Sequence, residues 1–267
     1  MRKLAALLAG LTAAFAMTGS APAQTGDAQL DGTRHPNVGA LLAKRTDGSL
    51  GIICSGTLVS PRVFLTAGHC ADFMFLLGQF DAFVTFDPNF GTDPLHDIFS
   101  TPYHGALVQN PRFHVPAQND TAIVLLDLAV TGIAPAKIAP LGFLDGLQDA
   151  GTIQTTKFTN VGYGTAEQVV VPGTGPIFPG DGIRKFTISG FYSLTPEYIH
   201  LNQNLKQGYS GTCFGDSGGP TFVGTANGPV VISVVSSGDN PCYTLSVDER
   251  LDIANPQQFL APYLALR

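Results

Sequence analysis

Short apolar runs cut apart by turn residues set the first limit on this chain. Ile52–Val59 and Val63–Ala67 flank Ser60-Pro61-Arg62, a hairpin signal. Thr121–Leu128, Lys157–Val161, Lys185–Ser189, Pro220–Val223 and Val230–Ser236 repeat the pattern. The intervening turns draw on 31 glycines and 19 prolines. Runs of this length bounded by Gly and Pro suit strands rather than helices. The spacing therefore predicts an all-β fold built as barrels or sandwiches. One helix is expected near the end, over Asn255–Leu264, with Asn255 as its cap and Pro256 in its first position.

The beginning of the chain reads differently. Met1-Arg2-Lys3 is basic, Leu4 to Met17 is apolar, and Ala21-Pro22-Ala23 offers small residues for cleavage. That order describes a secretory signal peptide over residues 1–23, removed before Gln24. The apolar run is short for a membrane span. A net charge of −6 gives no sign of binding to nucleic acid or to an anionic membrane. Cys54, Cys70, Cys213 and Cys242 allow three pairings and fit an exported protein. Their spacing, without a C-x-x-C pair, argues against zinc.

The chemistry concentrates in Thr212-Cys213-Phe214-Gly215-Asp216-Ser217-Gly218-Gly219-Pro220. A serine between glycines can present its hydroxyl beside backbone N–H groups, as acyl transfer requires. A serine hydroxyl needs a base near neutral pH. Among the six histidines, His69 stands out, because it follows the apolar run Val63–Ala67 and precedes Cys70. An imidazole base needs an orienting acid. Asp120 opens the apolar run that follows Asn119, where a carboxylate is costly to bury without a partner.

The segments Ser55–Cys70, Asn119–Leu126 and Thr212–Pro220 resemble the chymotrypsin/trypsin family of serine proteases. The order His69, Asp120, Ser217 is that family's order. Val161-Gly162-Tyr163-Gly164 and Val234–Gly238 are weaker echoes. The resemblance implies two six-stranded antiparallel barrels with the active site in the cleft between them. The first barrel would span about residues 30–136, the second about 137–254, and the helix residues 255–265. It implies a catalytic triad of His69, Asp120 and Ser217, with the N–H groups of Gly215 and Ser217 as oxyanion hole. It also implies disulfides Cys54–Cys70 and Cys213–Cys242, and substrate contacts from Gly211, Thr212, Ser236 and Gly238. The expected activity is a secreted endopeptidase acting on polypeptides, extracellular or periplasmic, monomeric, and without metal or cofactor.

Specificity and activation follow from departures. Gly211 stands where trypsin-like members carry an aspartate, so cleavage after apolar rather than basic residues is expected. Ser237 stands where a tryptophan is usual, which would open the neighbouring subsites. Leu30-Asp31-Gly32-Thr33 resembles the family's activated N-terminus. Residues 24–29 are then a short candidate propeptide, with Leu30 inserting toward Asp216 after a second cut; otherwise Asp216 takes a different partner.

Other hydrolase readings fail on order. Gly215-x-Ser217-x-Gly219 also fits the nucleophile elbow of α/β-hydrolases, but no histidine follows Ser217. A protease-like binding protein with little turnover, or an exported esterase on the same triad, remains as an alternative. Asp87–Asp93 reads as a solvated acidic turn before it reads as a calcium loop. Asn119-Asp120-Thr121 fits a glycosylation sequon, and its place beside Asp120 argues against modification. Residues 172–182, with four glycines and three prolines, are expected to form a surface loop.

Overall fold

A computed structural model describes residues 24–90, 102–171, 173 and 175–266. The expected signal peptide, His96 and the end of the acidic turn lie outside these residues. In chain order the strands are β1 (Gln29–Leu30), β2 (Val38–Lys44), β3 (Leu50–Ser60), β4 (Val63–Thr66), β5 (Asp81–Thr85), β6 (Tyr103–Gln109) and β7 (Ala122–Leu126). They continue as β8 (Lys137–Ile138), β9 (Phe158–Gly162), β10 (Val169–Val171), β11 (Gly175–Ile177) and β12 (Lys185–Leu194). The last are β13 (Tyr198–Asn202), β14 (Pro220–Val223), β15 (Val230–Gly238) and β16 (Leu245–Arg250). The helices are α1 (Gly68–Leu76), α2 (Phe143–Asp149) and α3 (Ala254–Leu264).

Two closed six-stranded antiparallel barrels result, as expected. The first runs β2-β3-β4-β7-β6-β5. The second runs β9-β12-β13-β16-β15-β14 and closes through β14 on β9. Closure removes the open edges that a six-stranded sheet would otherwise expose. β1 adds to β12, and β8 lies parallel to β15 at the crossing between barrels.

The strands of the first barrel are buried almost throughout, β2 over all of Val38–Ala43 and β4 over Val63–Thr66. Burial on both faces has a simple cause. One face fills the barrel around Leu41, Leu58 and Phe64. The other packs Val38, Val63 and Ile123 against Phe222 and Val234 of the second barrel. Leu260 of α3 joins this shared layer, so the C-terminal helix seals it. A separate core of Phe158, Ile199, Leu201 and Ile232 fills the second barrel.

Two local expectations differ. α3 begins at Ala254, and its flanking residue Ile253 supplies no side-chain cap. The Asn255 side-chain oxygen Oδ1 instead accepts from Asn110 Nδ2 at 2.7 Å. Pro256 therefore sits at the third helical position, where its missing N–H is still no loss. Helix α1 was not expected. Its apolar run keeps Met74 buried while Phe73 and Leu76 stay exposed, so no helical periodicity marks it.

Candidate active site

β4 ends where α1 begins, and this places His69 in the first helical turn at the barrel rim. Thr66 of β4 pairs with Ala122 of β7. That register sets Asp120, just ahead of β7, beside His69. His69 Nδ1 lies 2.8 Å from Asp120 Oδ2, and the His69 backbone N–H donates to Asp120 Oδ1 at 2.7 Å. Asp120 is fully buried, whereas the His69 side chain is 30% exposed. A buried carboxylate needs partners, and Ser236 Oγ supplies another at 2.5 Å. With Nδ1 taken by Asp120, the other ring nitrogen, Nε2, lies 3.8 Å from Cys70 Sγ.

Ser217 lies in a turn held from both barrels. Its carbonyl accepts from Ser55 N of β3 at 2.9 Å, and Gly218 N donates to Val235 O at 2.7 Å. Ser55 Oγ also donates to Gly215 O at 2.9 Å. The turn uses left-handed backbone at Gly215 (φ 96°) and Gly218 (φ 76°), which favours glycine. Among the described residues, neither the Gly215 nor the Ser217 N–H donates to another group. Free N–H groups beside a serine hydroxyl can bind a developing oxyanion.

Ser217 and His69 line one cleft of about 720 Å³ between the barrels, together with Thr212, Phe214, Ser236 and Gly238. Among the described residues no hydrogen bond joins Ser217 to His69. Such contacts commonly tighten only with substrate bound. The disulfides Cys54–Cys70 and Cys213–Cys242 flank the cleft. The first ties α1 to β3, and the second ties the serine turn to the loop after β15. Chain entropy assigns each about 3 kcal/mol. Cys54, Cys70 and His69 sit close enough to suggest a metal site, but both sulfurs are bonded to each other and cannot act as thiolate ligands.

The expected substrate residues divide. Thr212, Ser236 and Gly238 line the cleft, but Gly211 does not. Gly211 lies behind it, where a Cβ would run into the Gln203 side chain. Gln203 Oε1 accepts from Thr212 N at 2.9 Å and closes that side. Thr212 Oγ1 lies 2.9 Å from Ser246 Oγ, and Ser246 Oγ donates to Asp248 Oδ1 at 2.6 Å. The single Ser246 proton is thereby committed, so Thr212 is the donor of its pair. Asp248 is buried under three hydroxyls, those of Ser246, Thr221 and Ser233.

One further group, Glu249, escaped the sequence reading, and Asp216 was read there only as the partner expected for Leu30. Glu249 is 1% exposed beside Asp120. Burial, with the charges of Asp120 and Glu197, pushes its carboxyl up to about 8. Asp216 is 1% exposed and turns away from the cleft. It accepts from Gly164 N at 2.8 Å, Cys213 N at 2.9 Å and Gln24 Nε2 at 3.1 Å. Leu30, expected near Asp216, lies in β1 opposite Lys185 and is 61% exposed.

A family model described as Trypsin matches residues 25–254. The chain is 27% identical to alpha-fibrinogenase albofibrase of Trimeresurus albolabris over 207 residues, covering 73% of this chain and 70% of that protein. It is 27% identical to the thrombin-like enzyme contortrixobin of Agkistrodon contortrix contortrix, covering 73% and 77%. It is 25% identical to CLIP domain-containing serine protease B15 of Anopheles gambiae, covering 79% and 63%. With the two barrels and the cleft between them, these matches make the chain a serine endopeptidase belonging to the trypsin family.

Proposed function

We propose that Ser217, His69 and Asp120 form the catalytic triad of a secreted endopeptidase that cleaves after apolar residues. The observation that carries this reading is the His69 ring bonded to buried Asp120 inside the cleft that also contains Ser217.

This reading implies the following steps. Ser217 Oγ attacks the scissile carbonyl while His69 Nε2 takes its proton. The carbonyl oxygen becomes an oxyanion facing the N–H groups of Gly215 and Ser217. His69 then protonates the leaving amine, and the acyl-serine remains. Water enters, gives a proton to His69, and hydrolyses the ester by the reverse sequence. Asp120 stays ionised throughout, holding the ring and stabilising the imidazolium.

The apolar preference rests on the cleft wall. Val235, Phe214 and the Cys213–Cys242 disulfide line it, and Asp248 lies behind its hydroxyl partners rather than at the surface. Asp72 and Asp239 also line the cleft, but the Asp239 carboxylate already accepts from the N–H groups of Tyr243, Thr244 and Leu245, so a cation buried against the Val235 wall gains no free carboxylate, which is costly. Export is supported by the disulfides, which persist in oxidising compartments.

The test pairs Ser217→Ala with a fluorophosphonate probe and a peptide library. Turnover should drop roughly 10⁴- to 10⁶-fold in the variant, and labelling should vanish. Labelling at another serine would overturn the triad. A library dominated by Arg before the cut would overturn the specificity.

A further inference from the structure

We propose that Glu249 is a positioning residue for Asp120. In its neutral form it holds the Asp120 backbone so that the carboxylate faces His69, and its ionisation sets the alkaline limit of activity. This inference rests on the triad reading and adds a group that the chemical steps above do not use.

Two carboxyl groups are buried together behind the His69 ring. Asp120 is fully buried, and Glu249 is 1% exposed. They come from different barrels, Asp120 from the turn before β7 and Glu249 from β16. Their partners are unequal. The Asp120 carboxylate takes the His69 N–H, the His69 ring and the Ser236 hydroxyl. The Glu249 carboxyl takes the backbone N–H of Asp120. Its oxygen Oε2 is buried with no hydrogen-bond partner. Two adjacent carboxyls in a dry site do not both ionise, and the better-solvated one keeps the charge. The charge therefore stays on Asp120, and Glu249 carries a proton. A neutral carboxyl still accepts one N–H through its carbonyl oxygen.

The surroundings of Glu249 favour that assignment. In the sheet, Glu249 lies opposite Tyr198 of β13 on one side and Val234 of β15 on the other. Burial, with the charges of Glu249, Asp120 and Glu197, pushes the Tyr198 phenol up to about 12. The charges acting on Glu249 are both negative, Asp120 and Glu197. His200, further along β13, acts on Asp248 instead. Arg250 is the next residue, but its guanidinium turns to Asp145, Asp252 and the Thr195 carbonyl. Burial and the two anions push the Glu249 carboxyl up to about 8.

Asp120 depends on this hold because the segment before it is tied down at few points. Tyr198 Oη donates to Ala117 O at 2.8 Å, and Asn119 Nδ2 donates to Arg112 O at 2.9 Å. The backbone N–H of Asp120 comes next, and Glu249 is its acceptor. Ionised, Glu249 would set a second buried anion against Asp120 with no cation between them, which is costly. Displacing residues 117–120 relieves the repulsion. Asp120 then turns from His69, and the ring loses the partner that fixes its Nδ1.

The experiment follows kcat, KM and fluorophosphonate labelling of Ser217 against pH in the parent, Glu249→Gln, Glu249→Leu and Glu197→Gln. In the parent, kcat and the labelling rate should drop about tenfold between pH 7 and pH 9, as one proton leaves a group that titrates near 8. KM should change little. In Glu249→Gln the drop should move up by about one pH unit or more, because the amide accepts the Asp120 N–H and cannot ionise. Glu249→Leu should also lose the drop, yet run about tenfold slower in kcat at pH 7, because the Asp120 N–H has no acceptor. Glu249→Gln should restore most of that rate. Glu197→Gln changes an exposed side chain and removes one of the two opposing anions. Its drop should begin at lower pH than the parent's, and it decides the matter if the Glu249 variants do not fold. An unshifted drop in Glu249→Gln or Glu197→Gln would overturn the proposal, as would a Glu249→Leu chain as fast as Glu249→Gln at pH 7. A parent that labels at Ser217 without the drop overturns this proposal alone. A parent that does not label at Ser217 overturns the triad reading and this proposal with it.

Discussion

Ser236 Oγ donates to Asp120 Oδ2 at 2.5 Å, and so ties the acid of the first barrel to a strand of the second. The same carboxylate oxygen accepts from His69. Removing Ser236 frees Asp120 to rotate away from the ring without exposing it. Ser236→Ala is expected to lower kcat about tenfold, the worth of one hydrogen bond to a charged acceptor. KM should change little on short substrates. Steady-state kinetics with a matched pH profile checks this, and a change confined to KM would show that Ser236 acts on substrate alone.

Glu249 gives a pH prediction. Its carboxyl stands at about 8 in the folded protein, far above its ordinary value, because burial and the neighbouring Asp120 and Glu197 charges oppose ionisation. The folded state therefore holds a proton that the unfolded state releases near pH 4.5. Its contribution to stability is greatest in acid and declines as pH climbs toward 8. Glu249→Gln removes that decline. The variant should be more stable than the parent by about 1–3 kcal/mol at pH 8, with little difference at pH 4. Urea denaturation at both pH values measures it.

The sequence made the strands legible where apolar runs were continuous, as in β3, β4, β7 and β15. It failed at β13 and β16, because polar residues interrupt their apolar pattern. Asp248, Glu249 and Arg250 in β16 are all buried by partners far away in the chain. Arg250, for example, bonds Asp145 and the Thr195 carbonyl. His69, Asp120 and Ser217 stand out in the sequence as triad candidates because each combines a reactive group with a local pattern. Gln203, Ser55 and Gln24 do not. Their roles depend on contacts across the fold, and nothing beside them in sequence announces the partner. Leu30 was misleading for the same reason. Its motif resembles an inserted terminus, whereas its backbone pairs as an edge strand on β12.

Arg184 is the largest fully buried side chain and pins the entry segment to both barrels. Its Nε lies 2.8 Å from Asp31, and its Nη1 donates to Val38 O at 2.7 Å and Phe86 O at 3.0 Å. Nη2 donates to Gly32 O at 2.7 Å. Burial opposes ionisation of Asp31, yet the His35 and Arg184 interactions together hold its carboxyl below the usual range. Arg184→Met would leave that carboxylate with only His35 beside it and should cost about 3–5 kcal/mol. Adding Asp31→Leu should recover part of the loss, since no unpaired charge remains. Chemical denaturation of the single and double variants checks the coupling.

The last prediction concerns the glycine after Ser217. Gly218 has φ 76°, and an added Cβ would meet Ala67 N at 2.6 Å, Ser55 O at 2.7 Å and the Thr66 hydroxyl. Two of those atoms belong to backbone, and Thr66 Oγ1 is itself bonded to Ser55 O at 2.9 Å. None can swing aside as a flexible side chain would. The serine turn must move instead, taking the Ser217 hydroxyl and the flanking N–H groups with it. Gly218→Ala combines the left-handed penalty with overpacking, about 2–5 kcal/mol in all. Activity should fall further, by roughly 10²- to 10³-fold, as when an oxyanion donor is lost. Assays run well below the variant's Tm separate the two effects. A variant that loses stability yet keeps full kcat would show that the turn's placement over Thr66 is not what aligns Ser217.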